Sequence, residues 1–309
     1  MRVKSAKSDA MRATSKPPEP DRRGSVLSLS KKGFHRIAYV EWGNIRAKRV
    51  AICLHGLSRQ GRDFDMLAMA LAAQGFRVIC PDLVGRGHSD WLRDPEEYNL
   101  PQYATDMTVL IARLGITEVD WIGTSLGGLV GMVLAGQSNS PIKRLVLNDI
   151  GPFLGWQALN RLAISVRDSP TSFPSLEAAT EYLAMRLANF GHLTPEQWRH
   201  MAIHTVVEMP NGTWRRLSDP NIIGAFRPGW YFNLRLWNYW DEITCPTLVL
   251  RGATSDVLTP DTVEEMAKRG PRAPCIEFPD CGHAPALFNP AQIDPIVAWL
   301  DQAMAAVAA

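Results

Sequence analysis

No stretch of the 309 residues approaches 18 continuous apolar positions, so the sequence holds no segment apolar enough for a membrane-spanning helix. Cysteine is scarce and odd in number, five residues, with Cys53, Cys80 and Cys245 in or beside strand-like apolar runs. That usage argues against a disulfide framework and for reduced thiols, so a cytoplasmic location is expected. Neither sign of charge dominates: 33 Lys plus Arg stand against 31 Asp plus Glu, and a net charge of +2 gives no extended nucleic-acid surface. No G-x-x-x-x-G-K-[ST] run and no strand-linked G-x-G-x-x-G occurs, so no nucleotide cofactor is expected. No internal repeat is visible. The expected partner is a small-molecule substrate, with no nucleic acid, no membrane span and homo-oligomerisation left open.

What is present is an ordinary globular composition, 46% apolar, in a chain long enough to bury a full core without staples. The few excess positive charges are local. Residues 1–24 carry seven basic against three acidic side chains, with Pro17, Pro18 and Pro20 opposing a helix. This segment reads as a disordered basic arm, and it lacks the apolar centre of a secretory signal. From Gly24 onward 26 basic residues face 28 acidic ones.

Beyond the arm, short β-branched runs alternate with helical patterns. Val26–Ser30 and Phe34–Trp42 read as an opening hairpin. Arg49–Leu54, Phe76–Pro81, Val119–Gly123, Lys143–Leu147, Thr247–Leu250 and Cys275–Phe278 read as buried strands. Helices are expected at Phe64–Gln74, Pro101–Leu114, Leu126–Gln137, Pro260–Lys268 and Pro290–Met304. Such alternation predicts a doubly wound α/β sheet. Residues 153–240 break the rhythm and read as a helical cap, leaving 25–152 and 241–309 as the core.

The run Gly123-Thr124-Ser125-Leu126-Gly127-Gly128 fits G-x-S-x-G between a strand and a helix, where a sharp turn exposes the serine hydroxyl. A serine nucleophile needs a base and the base needs an orienter. His283 and Asp256 each follow a strand, at the sheet edge where open α/β sheets bind ligands. Asp256 is the favoured acid; Asp149, which also ends a strand, is the competitor, although its loop leads at once into the cap. The backbone N–H groups of Leu126 and Leu57 are the expected oxyanion donors, and His55 is expected to brace the Leu57 loop.

Together His55-Gly56, the run Asp82-Leu83-Val84-Gly85-Arg86-Gly87-His88-Ser89-Asp90, the Ser125 motif, Asp256 and His283 resemble the α/β-hydrolase superfamily over residues 26–304. The resemblance implies an eight-stranded, mostly parallel sheet with helices on both faces and a lid inserted after the sixth strand. It places His88 and Asp90 in a structural turn. Serine in place of aspartate as nucleophile argues against epoxide hydrolase and dehalogenase chemistry. The reaction it implies is acyl-enzyme hydrolysis of a small to medium, largely apolar ester, thioester or lactone. Carbon–carbon hydrolysis, haloperoxidase or perhydrolase chemistry on the same residues, and a slow-turnover receptor, stay open.

Six of the ten tryptophans fall in the cap region. Trp156, Trp230 and Trp237 are candidates for an apolar substrate pocket, the alternative being that the cap tryptophans pack the cap itself. His200 and His204 share a helical face but lack the glutamate of H-E-x-x-H, so packing is expected there and no metal site is assigned. Cys281 reads as a loop thiol near the site, open to alkylation.

Overall fold

The β-branched runs pair into one sheet in a computed structural model that describes residues 17–225 and 232–307. β1 (Arg22–Ser30) and β2 (Gly33–Trp42) form an antiparallel hairpin. β3 (Arg49–Leu54) lies parallel to β4 (Phe76–Pro81) and β5 (Val119–Thr124), and β5 is parallel to β6 (Ile142–Asn148). An insertion carrying short strands β7 (Phe153–Leu154), β8 (Ser172–Phe173), β9 (Val206–Glu208), β10 (Trp214–Arg216) and β11 (Leu234–Arg235) follows. β12 (Thr247–Gly252) and β13 (Cys275–Phe278) then complete the eight-stranded order β1-β2-β4-β3-β5-β6-β12-β13, antiparallel only at β1/β2 and β2/β4. This is the α/β-hydrolase architecture that the sequence predicts.

The central strands are buried on both faces because helices cover both. On one side α1 (Asp65–Ala73) and α9 (Pro290–Val307) pack Leu67, Leu71, Ile296 and Leu300 against Ala51, Val78 and Leu248. On the other, α2 (Leu100–Arg113) and α3 (Leu126–Ala135) pack Tyr103, Met107, Leu110 and Val130 against Ile52, Trp121 and Leu145. No described helix is long and apolar enough to cross a membrane.

Two boundaries depart from expectation. Residues 1–16 of the expected arm lie outside the described residues, whereas 17–24 are bound to the core. The Pro18 carbonyl accepts Arg62 Nη2 at 2.6 Å, Asp21 accepts the Gly43 N–H at 2.6 Å, and Arg22 opens β1 and pairs with Glu41. The cap, expected to be helical, contains α4 (Trp156–Arg167), α5 (Leu176–Arg186) and α6 (Pro195–Thr205) plus a three-stranded sheet of order β8-β10-β9. Those strands are two or three residues long, too short for a period-two pattern. β7 pairs with β11 to close the neck of the cap, and α7 (Trp237–Asp241) already belongs to the core, where Trp240 is fully buried.

The turn from β5 to α3 is set by close packing. A Cβ on Gly127 would lie 2.0 Å from the Leu54 carbonyl oxygen, and one on Gly123 would lie 2.4 Å from the Gly127 carbonyl carbon. With β3 and α3 in contact, Ser125 is forced to φ 51°, ψ −115°, a left-handed conformation unusual for a non-glycine residue. His55 fixes the neighbouring loop: its Nε2 accepts the Leu83 N–H at 2.9 Å, so Nδ1 carries the hydrogen and donates to the Gly56 carbonyl at 2.7 Å. Burial pushes the His55 pKa down to about 3.

Gly127→Ala is expected to lower stability by about 1–3 kcal/mol, the usual overpacking loss, in urea unfolding; a loss under about 0.5 kcal/mol would show that the turn can yield. His55 stabilises the fold in its neutral form, fully above about pH 6.5 and progressively less toward its folded pKa of about 3. His55→Phe should therefore be least stable relative to wild type at pH 7. That difference should shrink by about 1.4 kcal/mol per pH unit below pH 6, and a pH-independent difference would contradict a neutral His55.

Candidate active site

Ser125 sits between β5 and α3 with its amide donating to the Asn148 carbonyl at 3.0 Å, which ties the turn to the end of β6. Its hydroxyl lies 2.9 Å from His283 Nε2, and His283 Nδ1 lies 2.7 Å from Asp149 Oδ2. A carboxylate only accepts, so Nδ1 carries the ring hydrogen and Nε2 is left to accept from Ser125. Three segments far apart in sequence, at the ends of β5, β6 and β13, thus converge on one sheet edge.

The aspartate that meets His283 is Asp149 and not the expected Asp256. Asp149 is fully buried, with φ 55° turning its side chain back under the sheet edge. Besides His283, its carboxylate accepts the Gly252 N–H at 2.8 Å and the Ser255 hydroxyl. Asp256 is exposed and forms a two-pronged pair with Arg161 of α4, at 2.5 and 2.7 Å. The loop after β12 therefore contributes donors that hold the acid, and its own aspartate faces the cap.

Both predicted oxyanion residues flank the serine. Leu126 is the first residue of α3, where the N–H groups lack intrahelical acceptors. Leu57 lines the cavity beside Ser125, and its carbonyl accepts Arg86 Nε at 2.8 Å. Arg86 is fully buried and also donates to the Val84 carbonyl and the Tyr103 hydroxyl, at 2.6 and 2.9 Å. Asp82, in the same run, accepts the amides of Gly61 and His88, while Asp90 accepts that of Arg36, so this run is a bracing turn.

A cavity of about 140 Å³ opens over Ser125 and His283, walled on the cap side by Leu162, Val166, Leu187, Phe190 and Met201. Two of the three candidate pocket tryptophans lie away from the cavity. Trp156 is 40% exposed, and Trp237 packs on the core with the Arg269 guanidinium 4.8 Å above its ring; neither lines the cavity. Trp230 lies outside the described residues. Trp198 and Trp214 pack the cap's own core. The cavity instead carries three arginines, Arg59, Arg161 and Arg186, that sequence reading passed over because no motif marks them.

His200 and His204 join the cap to the core. His200 Nε2 lies 3.2 Å from Asp65 on α1, and the two imidazoles meet edge to face at 4.8 Å. Asp65, His200 and His204 offer ligand-type atoms within 4.8 Å of one another, but Arg62 Nε already donates to both Asp65 oxygens at 2.7 and 2.9 Å. Burial pushes the Asp65 pKa up and holds His204 down at about 2. Cys281 is 3% exposed, accepts from Gln292 Nε2 at 3.1 Å, and has its thiol pKa raised by burial. The expected reactivity toward alkylating agents is therefore not supported.

The chain is similar to known proteins in both sequence and architecture. The family described as alpha/beta hydrolase fold matches residues 50–290. A 3-hydroxybutyrate-oligomer hydrolase of Cupriavidus necator is 45% identical over 88% of this chain and 95% of that protein. The esterase Rv0045c of Mycobacterium tuberculosis is 27% identical over 75% of each chain. Among solved structures, an alpha/beta hydrolase from Novosphingobium aromaticivorans superposes with a TM-score of 0.78 at 33% identity, covering 90% of this chain and 98% of that one. With sequence and architecture agreeing over most of its length, the chain belongs to the α/β-hydrolase family.

Proposed function

We propose that this hydrolase cleaves short oligoesters of hydroxy acids, of the 3-hydroxybutyrate kind, through an acyl-enzyme on Ser125. The observation that carries the reading is the continuous relay Asp149–His283–Ser125 at 2.7 and 2.9 Å, at the floor of the cavity. The relative that is 45% identical across nearly its whole length supports the substrate class.

In this reading His283 Nε2 takes the Ser125 proton as the oxygen attacks the ester carbonyl, and Asp149 stabilises the imidazolium. The amides of Leu57 and Leu126 receive the developing oxyanion, which the α3 N-terminus also favours. The ester C–O bond breaks as His283 returns the proton to the departing alkoxide, releasing the hydroxyl-bearing half. Water, deprotonated by the same nitrogen, then attacks the acyl-serine; the acid half leaves and Ser125 regains its proton. Overall, one ester and one water give one acid and one alcohol.

A fluorophosphonate probe should label the wild type and not Ser125→Ala, which should also lose at least about a thousandfold in kcat on the 3-hydroxybutyrate dimer. Absence of labelling together with absence of turnover on the dimer and on short nitrophenyl esters would defeat the proposal. Asp149→Asn should lower kcat by about 10⁴-fold through the wrong His283 tautomer, whereas Asp256→Asn should change it less than about tenfold. Equal losses in steady-state kinetics would return the acid role to open question.

A further inference from the structure

We infer that Arg186 binds the free terminal carboxylate of the substrate, so that the enzyme selects oligoesters by their acid end; the inference rests on the oligoester reading above. The argument is one of local charge. Three arginines line the cavity, and two of them are answered by carboxylates. Arg59 pairs with Asp63, also a lining residue, through two bonds of 2.6 Å, and Arg161 pairs with Asp256. Among the described residues no carboxylate lies within ion-pair distance of Arg186, which is exposed at the C-terminal end of α5 and lines the same cavity as Ser125 and His283. Arg186 is thus the lining arginine that lacks a carboxylate partner among the described residues.

A hydroxy-acid oligomer supplies such a carboxylate. Its ester groups are neutral, and its single anion sits on the terminal unit, in the half that leaves as the alcohol when the last ester bond is cut. A guanidinium offers a planar fork that matches a carboxylate, a stronger contact than any it makes with an ester carbonyl. A cation on the cap side of the cavity that also holds Ser125 would therefore draw the terminal ester bond toward the serine. The nearby carboxylates supply no competitor, because Asp63, which lines the cavity, and Asp256, which does not, already hold their own arginines. Cleavage would release units from the carboxyl end, and a chain capped as its methyl ester would lose that guidance.

The test compares the 3-hydroxybutyrate dimer with its methyl ester on wild type, Arg186→Gln, Arg186→Lys and Arg161→Gln. Wild type should prefer the free acid, and Arg186→Gln should lower the acid-to-ester ratio of kcat/KM by about tenfold, mainly through KM, equivalent to about 1.4 kcal/mol. Arg186→Lys should restore part of the ratio because charge is kept and the fork is lost. Raising salt should shrink the wild-type preference, since the contact is solvent-exposed. Equal wild-type rates on both dimers, an unchanged ratio in Arg186→Gln, or a fall in Arg161→Gln alone would each overturn the assignment. Wild type that cleaves neither dimer while Ser125 still takes the fluorophosphonate would remove the oligoester reading itself and this inference with it.

Discussion

Asp149 carries a carboxylate with no exposure to solvent, and such a charge is tolerated only where protein donors take the place of water. The donors come from three places: the Gly252 amide, the Ser255 hydroxyl and the His283 ring. Each of the last three segments of the core is thereby referred to one point. If the carboxylate were absent, the imidazole would lose the partner that fixes its tautomer, and the loop after β12 would lose the acceptor around which it turns. The group that fixes the His283 ring also organises the sheet edge.

Ser125 depends on a constraint of a different kind. Its left-handed backbone follows from the contact of Gly127 with the end of β3, a matter of volume with no charge involved. Opposite it, the Leu57 loop is held by a buried guanidinium whose acceptors among the described residues are carbonyls and a hydroxyl. Arg86 thereby fixes the Leu57–Ser58 peptide plane, whose carbonyl it holds. The Ser125 turn and the Leu57 loop are therefore set independently, one by packing and one by hydrogen bonds.

Much of this was readable from the chain. Strand runs such as Arg49–Leu54 and Phe76–Pro81 coincide with β3 and β4 because a strand covered on both faces is a near-continuous apolar run, here broken only by Arg49 and Arg77 near the strand starts. The strand-to-helix context of Ser125 and the post-strand position of His283 place both at one edge, and the structure brings them within hydrogen-bond distance. The acid was not readable, because β6 and β12 are adjacent parallel strands and an aspartate follows each. Which one faces inward depends on the φ of Asp149 and on Arg161, a cap residue nearly a hundred positions before Asp256. The cap was the least legible part: its tryptophans looked like a pocket by composition, yet those described serve packing or stand exposed, and the cavity's arginines carry no local pattern.

The neck of the cap has a further consequence. Residues Phe153–Leu154 and Leu234–Arg235 pair in register, and the Leu236 amide donates to the Pro152 carbonyl at 2.7 Å, so the insertion leaves and rejoins the core at almost the same point. To the sheet, everything between is a closed loop. Closure entropy grows only with the logarithm of loop length, about 0.6 kcal/mol for each doubling. Helices can therefore be added, lost or resurfaced beyond the neck at little thermodynamic expense, while Asp149, a few residues before it, keeps its place. The stretch beyond the neck and the stretch that holds Asp149 can therefore change at different rates.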